Sequence, residues 1–384
     1  VRSLKTFAEI DLSALSHNVE VVKKKANNSN ILAVVKADAY GHGAVEVSKH
    51  ILKAGVSGLG VAFIEEAIEL REAGIKSPII VFFDPADKRL YLKYNLTPVV
   101  FDFKTAKAFS DIAYKHNRKL AIHIKVDTGM GRVGLPLIEA YTEILKIARL
   151  KNLDLQGIMS HFSDADLKDR NFTNIQLKNF LNLIESLRKN DIHFKFSHIA
   201  NSAAVLRFPE AHLNMVRPGI MLYGYGPAAE NQLKPMLSLK SKIIFMKNVP
   251  AKTSIGYGRT FITRRRSIIA TVPIGYADGY SRRLSNCGEV IINGKRAPVV
   301  GRVCMDTIMI DVTHIPNVKE GTEVVLIGGQ GKEKITAEEI ADKIDTIPYE
   351  VLTSIGRRVK RIYINPNNAI NHPPKAEHRD KTKN

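Results

Sequence analysis

A lysine at the end of an apolar run is the first residue in this chain that could do chemistry. Ile31-Leu32-Ala33-Val34-Val35 leads into Lys36, then into Ala37-Asp38-Ala39-Tyr40-Gly41-His42-Gly43. The apolar run reads as a buried strand. An ammonium at its end is stripped of water, and that favours the neutral amine. A neutral lysine is nucleophilic enough to form a Schiff base with an aldehyde.

A second lysine sits in a similar place. Over 120–126 the alternation sends Ile122, Ile124 and Val126 outward, leaving His123, Lys125 and Asp127 on the inner face. One inward lysine is ordinarily a salt-bridged structural residue. Two of them, each followed by a glycine-rich loop, point to a site. Two later segments, His198-Ile199-Ala200-Asn201-Ser202 and Val216-Arg217-Pro218-Gly219-Ile220, offer an anion cradle. Ser202 brings a hydroxyl, Gly219 lets a ligand approach the backbone, and the N–H groups of Gly219 and Ile220 can meet phosphate oxygens. A Schiff-base lysine beside a phosphate cradle is what pyridoxal phosphate (PLP) requires.

Something must position these groups. Candidate strands fall at 31–35, 59–63, 78–83, 97–101, 120–126, 155–161, 194–199 and 213–216. Amphipathic stretches lie between them, such as Leu12, Leu15, Val19 and Val22, or Leu177, Leu181, Ile184 and Leu187. Gly74 ends the helix that begins near Ile64. Eight strands alternating with helices predict an α/β fold, a (β/α)8 TIM-like barrel over 1–232. Its active residues belong at the C-terminal strand ends, with phosphate after strands seven and eight. The texture then changes. Short β-rich runs at 239–246, 268–273, 289–292, 297–303, 307–312 and 323–327 are broken by turns such as Asn293-Gly294. With one helix at 337–344, they predict a separate mainly-β domain over 233–364. The polar segment 365–384 reads as a mobile tail.

Composition narrows the class. The chain has 384 residues, 45% hydrophobic and 25% charged, as a globular protein does. No apolar run spans a bilayer, and the first residues lack the pattern of a signal peptide. Cys287 and Cys304 form no disulfide framework or metal spacing. The expectation is a cytoplasmic protein with no metal and no membrane contact. The net charge of +19 suggests nucleic acid as a remote alternative. The basic residues are dispersed, however, and Arg264-Arg265-Arg266 has no interleaved aromatics, so no nucleic-acid partner is expected. Gly328-Gly329-Gln330-Gly331-Lys332 lacks the hydroxyl and glycine spacing of a P-loop.

Taken in order, the motifs resemble the bacterial alanine racemases, PLP enzymes of fold type III. The resemblance covers nearly the whole chain. It rests on the segment around Lys36, on Lys125-Val126-Asp127-Thr128-Gly129-Met130-Gly131-Arg132, on Ser160-His161-Phe162 and on the two phosphate loops. In the second domain it rests on Ile255-Gly256-Tyr257-Gly258-Arg259, on Pro273-Ile274-Gly275-Tyr276-Ala277-Asp278 and on Gly301-Arg302-Val303-Cys304-Met305-Asp306.

The resemblance implies interconversion of L- and D-alanine, supplying D-alanine for peptidoglycan. It implies Lys36 as cofactor anchor and one catalytic base, with Tyr257 as the other. Inversion at a carbon needs a proton donor or acceptor on each face. Tyr257 comes from the partner subunit in this family, which implies a head-to-tail homodimer with shared sites. Tyr40, Arg132, His161, Asn201, Ser202, Arg217, Gly219 and Ile220 are implied to hold the cofactor, with Arg217 at the ring nitrogen and His198 behind it. Arg132, Tyr276, Met305 and Asp306 are implied to meet the substrate. Lys125 matches a lysine that relatives carry as a carbamate. One departure is expected: where some relatives place a tyrosine near the phosphate, the aligned residue here is Arg357. A serine or broad-specificity racemase shares these motifs and is the alternative reading.

Overall fold

The computed structural model describes residues 5–84, 87–227 and 232–365. Eight parallel strands occupy the expected places: Asn30–Val34, Gly58–Val61, Ile79–Val81, Thr97–Val100, Leu120–Asp127, Leu153–Met159, Phe196–His198 and Met215–Val216. They form a nearly closed ring in which the last strand pairs with the first, Met215 opposite Asn30 and Val216 opposite Ile31. Side chains help close the remaining gap. Asn214 Oδ1 accepts the Ser197 N–H at 2.7 Å, and its Nδ2 donates to the Lys195 carbonyl at 2.9 Å.

Helices cover the ring because their apolar spacing gives each one a single buried face. In Leu12–Ala26, Leu15, Val19 and Val22 are fully buried, each contributing about 1.5–3 kcal/mol. Asp11 starts that helix by accepting the N–H groups of Ser13 and Ala14 at 2.8 and 3.1 Å. Among the described residues, no helix is long and apolar enough to cross a membrane.

The second domain is mainly β. Its larger sheet runs Lys295–Pro298, Glu289–Ile292, Glu323–Gln330, Leu237–Lys242, Phe7–Asp11, Lys360–Ile364. Phe7–Asp11 lies within the segment expected to be barrel. It sits instead in this sheet, antiparallel to Leu237–Lys242 and parallel to Lys360–Ile364. Two expected β runs are shorter or divided. The run 239–246 splits into Leu237–Lys242 and Phe245–Val249, which belong to different sheets. The run 297–303 is a strand only as Lys295–Pro298, followed by a single bridge from Val299 to Ile310, and Gly301 then turns the chain with φ +78. The helix Ala337–Ile344 stands as expected. The predicted tail lies outside the described residues, apart from Asn365.

Candidate active site

Lys36 follows its strand at an unusual turn. Ala37, Asp38, Ala39 and Tyr40 all have left-handed dihedrals, with φ between +51 and +55. None is glycine, so each Cβ costs about 1–2 kcal/mol against the next carbonyl. Local bonds hold the turn. Glu66 accepts the N–H of Ala37 at 2.5 Å on one oxygen and those of Ala62 and Phe63 at 2.7 and 3.1 Å on the other. Asp38 Oδ1 accepts the Ala44 N–H at 2.7 Å. The turn aims Lys36 and Tyr40 into one cavity at the C-terminal end of the barrel.

That cavity, of about 260 Å³, is lined by Lys36, Tyr40, Lys125, Arg132, His161, Asn201, Ser202, Arg217, Gly219 and Ile220, with Val34, Phe82, Phe83, Met159 and Tyr349. Every residue expected around the cofactor is therefore brought together. Burial lowers the Lys36 pKa, Arg132 lowers it further, and Glu66 opposes both. The Lys125 pKa falls well below the ordinary lysine value through burial and the charges of Arg217 and Arg132. Among the described residues, no Asp or Glu lines the cavity. Asp127, expected on the same inner face, instead caps its loop by accepting the N–H groups of Gly129 and Met130, both at 2.8 Å.

Arg217 is held from several sides. Its Nη1 donates to His198 Nδ1 at 2.9 Å. Its Nη2 donates to the Ser160 and Ile199 carbonyls at 2.6 and 3.1 Å and to His161 Nδ1 at 3.2 Å. Burial and Arg132 bring its pKa down to about 9, which leaves the guanidinium charged at neutral pH. Phe83 packs under the guanidinium of Arg132, 5.2 Å from the ring centre, and lies 5.9 Å from Lys36 Nζ.

The phosphate cradle has the expected members. Ser202 Oγ accepts the Gly219 N–H at 2.8 Å, and Asn201 Oδ1 caps the following helix at the Ala204 N–H, 3.0 Å away. A Cβ on Gly219 would lie 2.4 Å from Tyr40 Oη, so only glycine fits this wall. Burial pushes the Tyr40 phenol well above its ordinary pKa, with Tyr349 adding to the shift. Burial likewise brings Tyr349 up to about 12, with Asp166 contributing. Both phenols are therefore neutral donors facing the cradle. This donor set fits PLP: an amine for the aldehyde, the Ser202, Tyr40 and Tyr349 hydroxyls for the phosphate, and a guanidinium for the ring nitrogen.

Tyr349 corrects one expectation. Arg357 is exposed and outside the cavity lining. The tyrosine beside the cradle is Tyr349, with its ring 5.9 Å from that of Tyr40. The helix Pro348–Thr353 carries it, started by proline at its first turn. The signal was the Pro-Tyr pair itself, which places a phenol one residue inside a helix start. Glu66 was missed as well, because a helix-start glutamate has no sequence mark that separates it from an ordinary cap.

The second-domain residues lie elsewhere. Tyr257 is 71% exposed, Met305 52% and Tyr276 43%. Tyr276 and Met305 share one surface, since the Tyr276 N–H bonds to the Cys304 carbonyl and the Ala277 N–H to the Met305 carbonyl. Asp306 pairs with Arg358 at 2.8 Å. None of the four expected there lines the cavity of its own chain.

A lysine and an arginine lining one barrel-end cavity, with a phosphate cradle and an attached β domain, define the class of barrel enzymes that hold PLP on a lysine. The comparisons agree. Residues 10–227 match the N-terminal domain and residues 236–363 the C-terminal domain of alanine racemase. The alanine racemase of Halothermothrix orenii is 48% identical over 367 residues, covering 94% of this chain and 97% of that one. The structure of alanine racemase from Clostridium difficile 630 superposes with a TM-score of 0.91 at 39% identity, covering 95% and 97%. That of Bartonella henselae, with covalently bound pyridoxal phosphate, gives 0.85 at 30% identity, covering 94% and 100%. The chain belongs to the alanine racemase family.

Proposed function

We propose that the chain interconverts L- and D-alanine with PLP held on Lys36, and that two copies share each active site. The observation that carries this reading is the cavity's donor set: Lys36, Arg217 rather than a carboxylate for the ring nitrogen, and the Tyr40–Ser202–Gly219–Ile220 cradle, all lining one cavity. What PLP supplies when bound is an electron sink for the substrate α-carbon. Arginine only donates, so Arg217 keeps the ring nitrogen unprotonated and limits that sink. A limited sink favours return of the proton to the same carbon over transamination. Lys36, its proton affinity lowered by burial, moves the proton on one face. Tyr257 serves the other face from the partner subunit.

The second subunit enters because Tyr257, Tyr276, Met305, Phe245 and Ile262 are exposed on one domain, an apolar display that suits an interface. In a head-to-tail pair, Tyr276, Met305 and Asp306 would border the partner's cavity and restrict it to a small side chain. Arg132, with the Met305 N–H, would meet the substrate carboxylate. Lys125, its pKa lowered by burial and by the charges of Arg217 and Arg132, would add as the free amine to CO2 with loss of one proton, and the anionic carbamate would then hold Arg132. The unpaired Cys287 and Cys304 suit a reducing cytoplasm as the place of reaction.

Purified protein is expected to be yellow, to be bleached by borohydride with the label on Lys36, and to racemise alanine faster than serine. A colourless protein that retains no PLP would overturn the reading. Equal rates on serine would move it to the broad-specificity racemases.

A further inference from the structure

Behind the cavity, out of reach of any ligand in it, stands His123. It is 1% exposed and outside the cavity lining. Its Nδ1 lies 2.8 Å from His198 Nε2, and His198 Nδ1 in turn lies 2.9 Å from Arg217 Nη1. We propose that His123 is a positioning residue for Arg217, acting through His198 as the terminal acceptor of a one-way chain of hydrogen bonds. The proposal rests on the assignment of Arg217 to the cofactor's ring nitrogen.

The direction of the chain follows from donor and acceptor counting. A guanidinium has five N–H donors and no acceptor. His198 Nδ1 must therefore accept, and it carries no proton. Neutral His198 then bears its proton on Nε2 and donates to His123 Nδ1. His123 Nδ1 must be bare in its turn, so its own proton is on Nε2. Burial and the nearby Arg217 charge lower both histidine pKa values, His123 to about 3 and His198 well below its ordinary value. Both rings are therefore neutral at physiological pH, and each is left with one permitted tautomer.

The surroundings fix the His123 ring as tightly as the chain requires. On the neighbouring strand Leu153–Met159, a Cβ at Gly157 would lie 2.2 Å from His123 Nδ1, so the absence of a side chain there makes the room. The pairing between these strands shifts register between Ile122 and His123. The ring stacks on Phe196 at 6.1 Å and meets His198 edge to face at 4.9 Å and 72°.

Without the His123 acceptor, the Nε2–H of His198 becomes a buried unpaired donor, which is costly. His198 can avoid that cost by moving its proton to Nδ1, but Nδ1–H then confronts the Arg217 N–H, donor against donor. The guanidinium must shift, and the ring nitrogen it guards becomes open to protonation. Transamination should then rise at the expense of racemisation.

The test uses full-length holoenzyme and cofactor-free protein, each labelled with 15N-histidine. Long-range 1H–15N spectra should show His198 and His123 as neutral rings protonated on Nε2 alone. A wild-type His198 protonated on Nδ1 overturns the proposal, whatever the variants do. His123→Leu should lose the single His198 tautomer. It should also lower kcat about tenfold, as loss of a buried hydrogen bond would, with KM within about twofold, and raise formation of pyridoxamine phosphate per turnover. His123→Asn, whose Oδ1 replaces Nδ1 as acceptor, should keep the tautomer and recover most of kcat. A folded leucine variant with wild-type tautomer and partition overturns the proposal, as does an asparagine variant with mixed tautomers. Arg217→Lys separates the underlying assignment. If it leaves the partition unchanged, Arg217 does not guard the ring nitrogen, while the spectra still decide the histidine chain.

Discussion

At the scale of the residue, the cavity concentrates positive charge. Lys36, Lys125, Arg132 and Arg217 all line it, and no carboxylate among the described residues does. The phosphate of PLP would offset part of this charge. A carbamate on Lys125 would place an anion between the two arginines, so the proposal answers an electrostatic need as well as a resemblance. Protein exposed to 13C-bicarbonate should show one carbamate carbon signal, absent from Lys125→Met. No signal in well-loaded enzyme would end the proposal. Removing CO2 exposes the underlying amine. Its folded pKa lies below the ordinary value, whereas in the unfolded chain it titrates near ~10.4. Below that pH the unfolded state binds the extra proton, so this contribution to stability grows as pH rises toward ~10.4 and shrinks as pH falls. The difference in urea stability between CO2-stripped wild type and Lys125→Met should grow with pH in that sense. A difference independent of pH would mean that Lys125 is protonated in the fold.

At the scale of the element, the turn after Lys36 is the costly one. Four left-handed non-glycine residues would add about 4–8 kcal/mol in isolation, and Glu66 is one anchor against it, joining Ala37 to Ala62 and Phe63. Glu66→Ala leaves three N–H groups without that partner and should destabilise the protein by about 2–3 kcal/mol, with slower Schiff-base formation at Lys36. Ala37 is exposed at φ +52. Ala37→Gly should therefore leave the melting temperature unchanged or raise it, while Ala37→Val lowers it by several degrees; equal effects would mean that the turn is not strained. The same turn marks the limit of what could be read from sequence. The strand before Lys36 was legible because its apolar run is unbroken, and so were Ser202 and Gly219, because they follow strands seven and eight. The left-handed turn was not, since alanine and aspartate there give no glycine signal. Tyr349 was overlooked for Arg357 because a single aromatic in a short helix has no period to betray it. Phe7–Asp11 is five residues long and alternates only weakly; its place is decided by partners more than two hundred residues away.

At the scale of the whole molecule, the two domains are tied through that first strand. Phe7–Asp11 lies inside the second domain's sheet, while Asp11 caps the barrel's opening helix. The second domain reaches back to the barrel through Arg361, which donates to the Gly41 carbonyl at 3.0 Å, and Tyr363, which donates to the His42 carbonyl at 3.2 Å. These contacts anchor the second domain beside the turn that carries Lys36. They still leave Tyr257 exposed and outside its own chain's cavity. A shared site follows only if Tyr257 serves a different copy, and mixing tests this directly. Lys36→Ala and Tyr257→Phe should each be nearly inactive in both directions, because inversion from either enantiomer needs both bases. Unfolded together and refolded as random pairs, half the dimers are mixed, and each mixed dimer holds one site with both native residues. About a quarter of wild-type activity should return, growing with protein concentration as dimers form. If both bases came from one chain, every site in every pairing would lack one of them, and mixing would restore nothing.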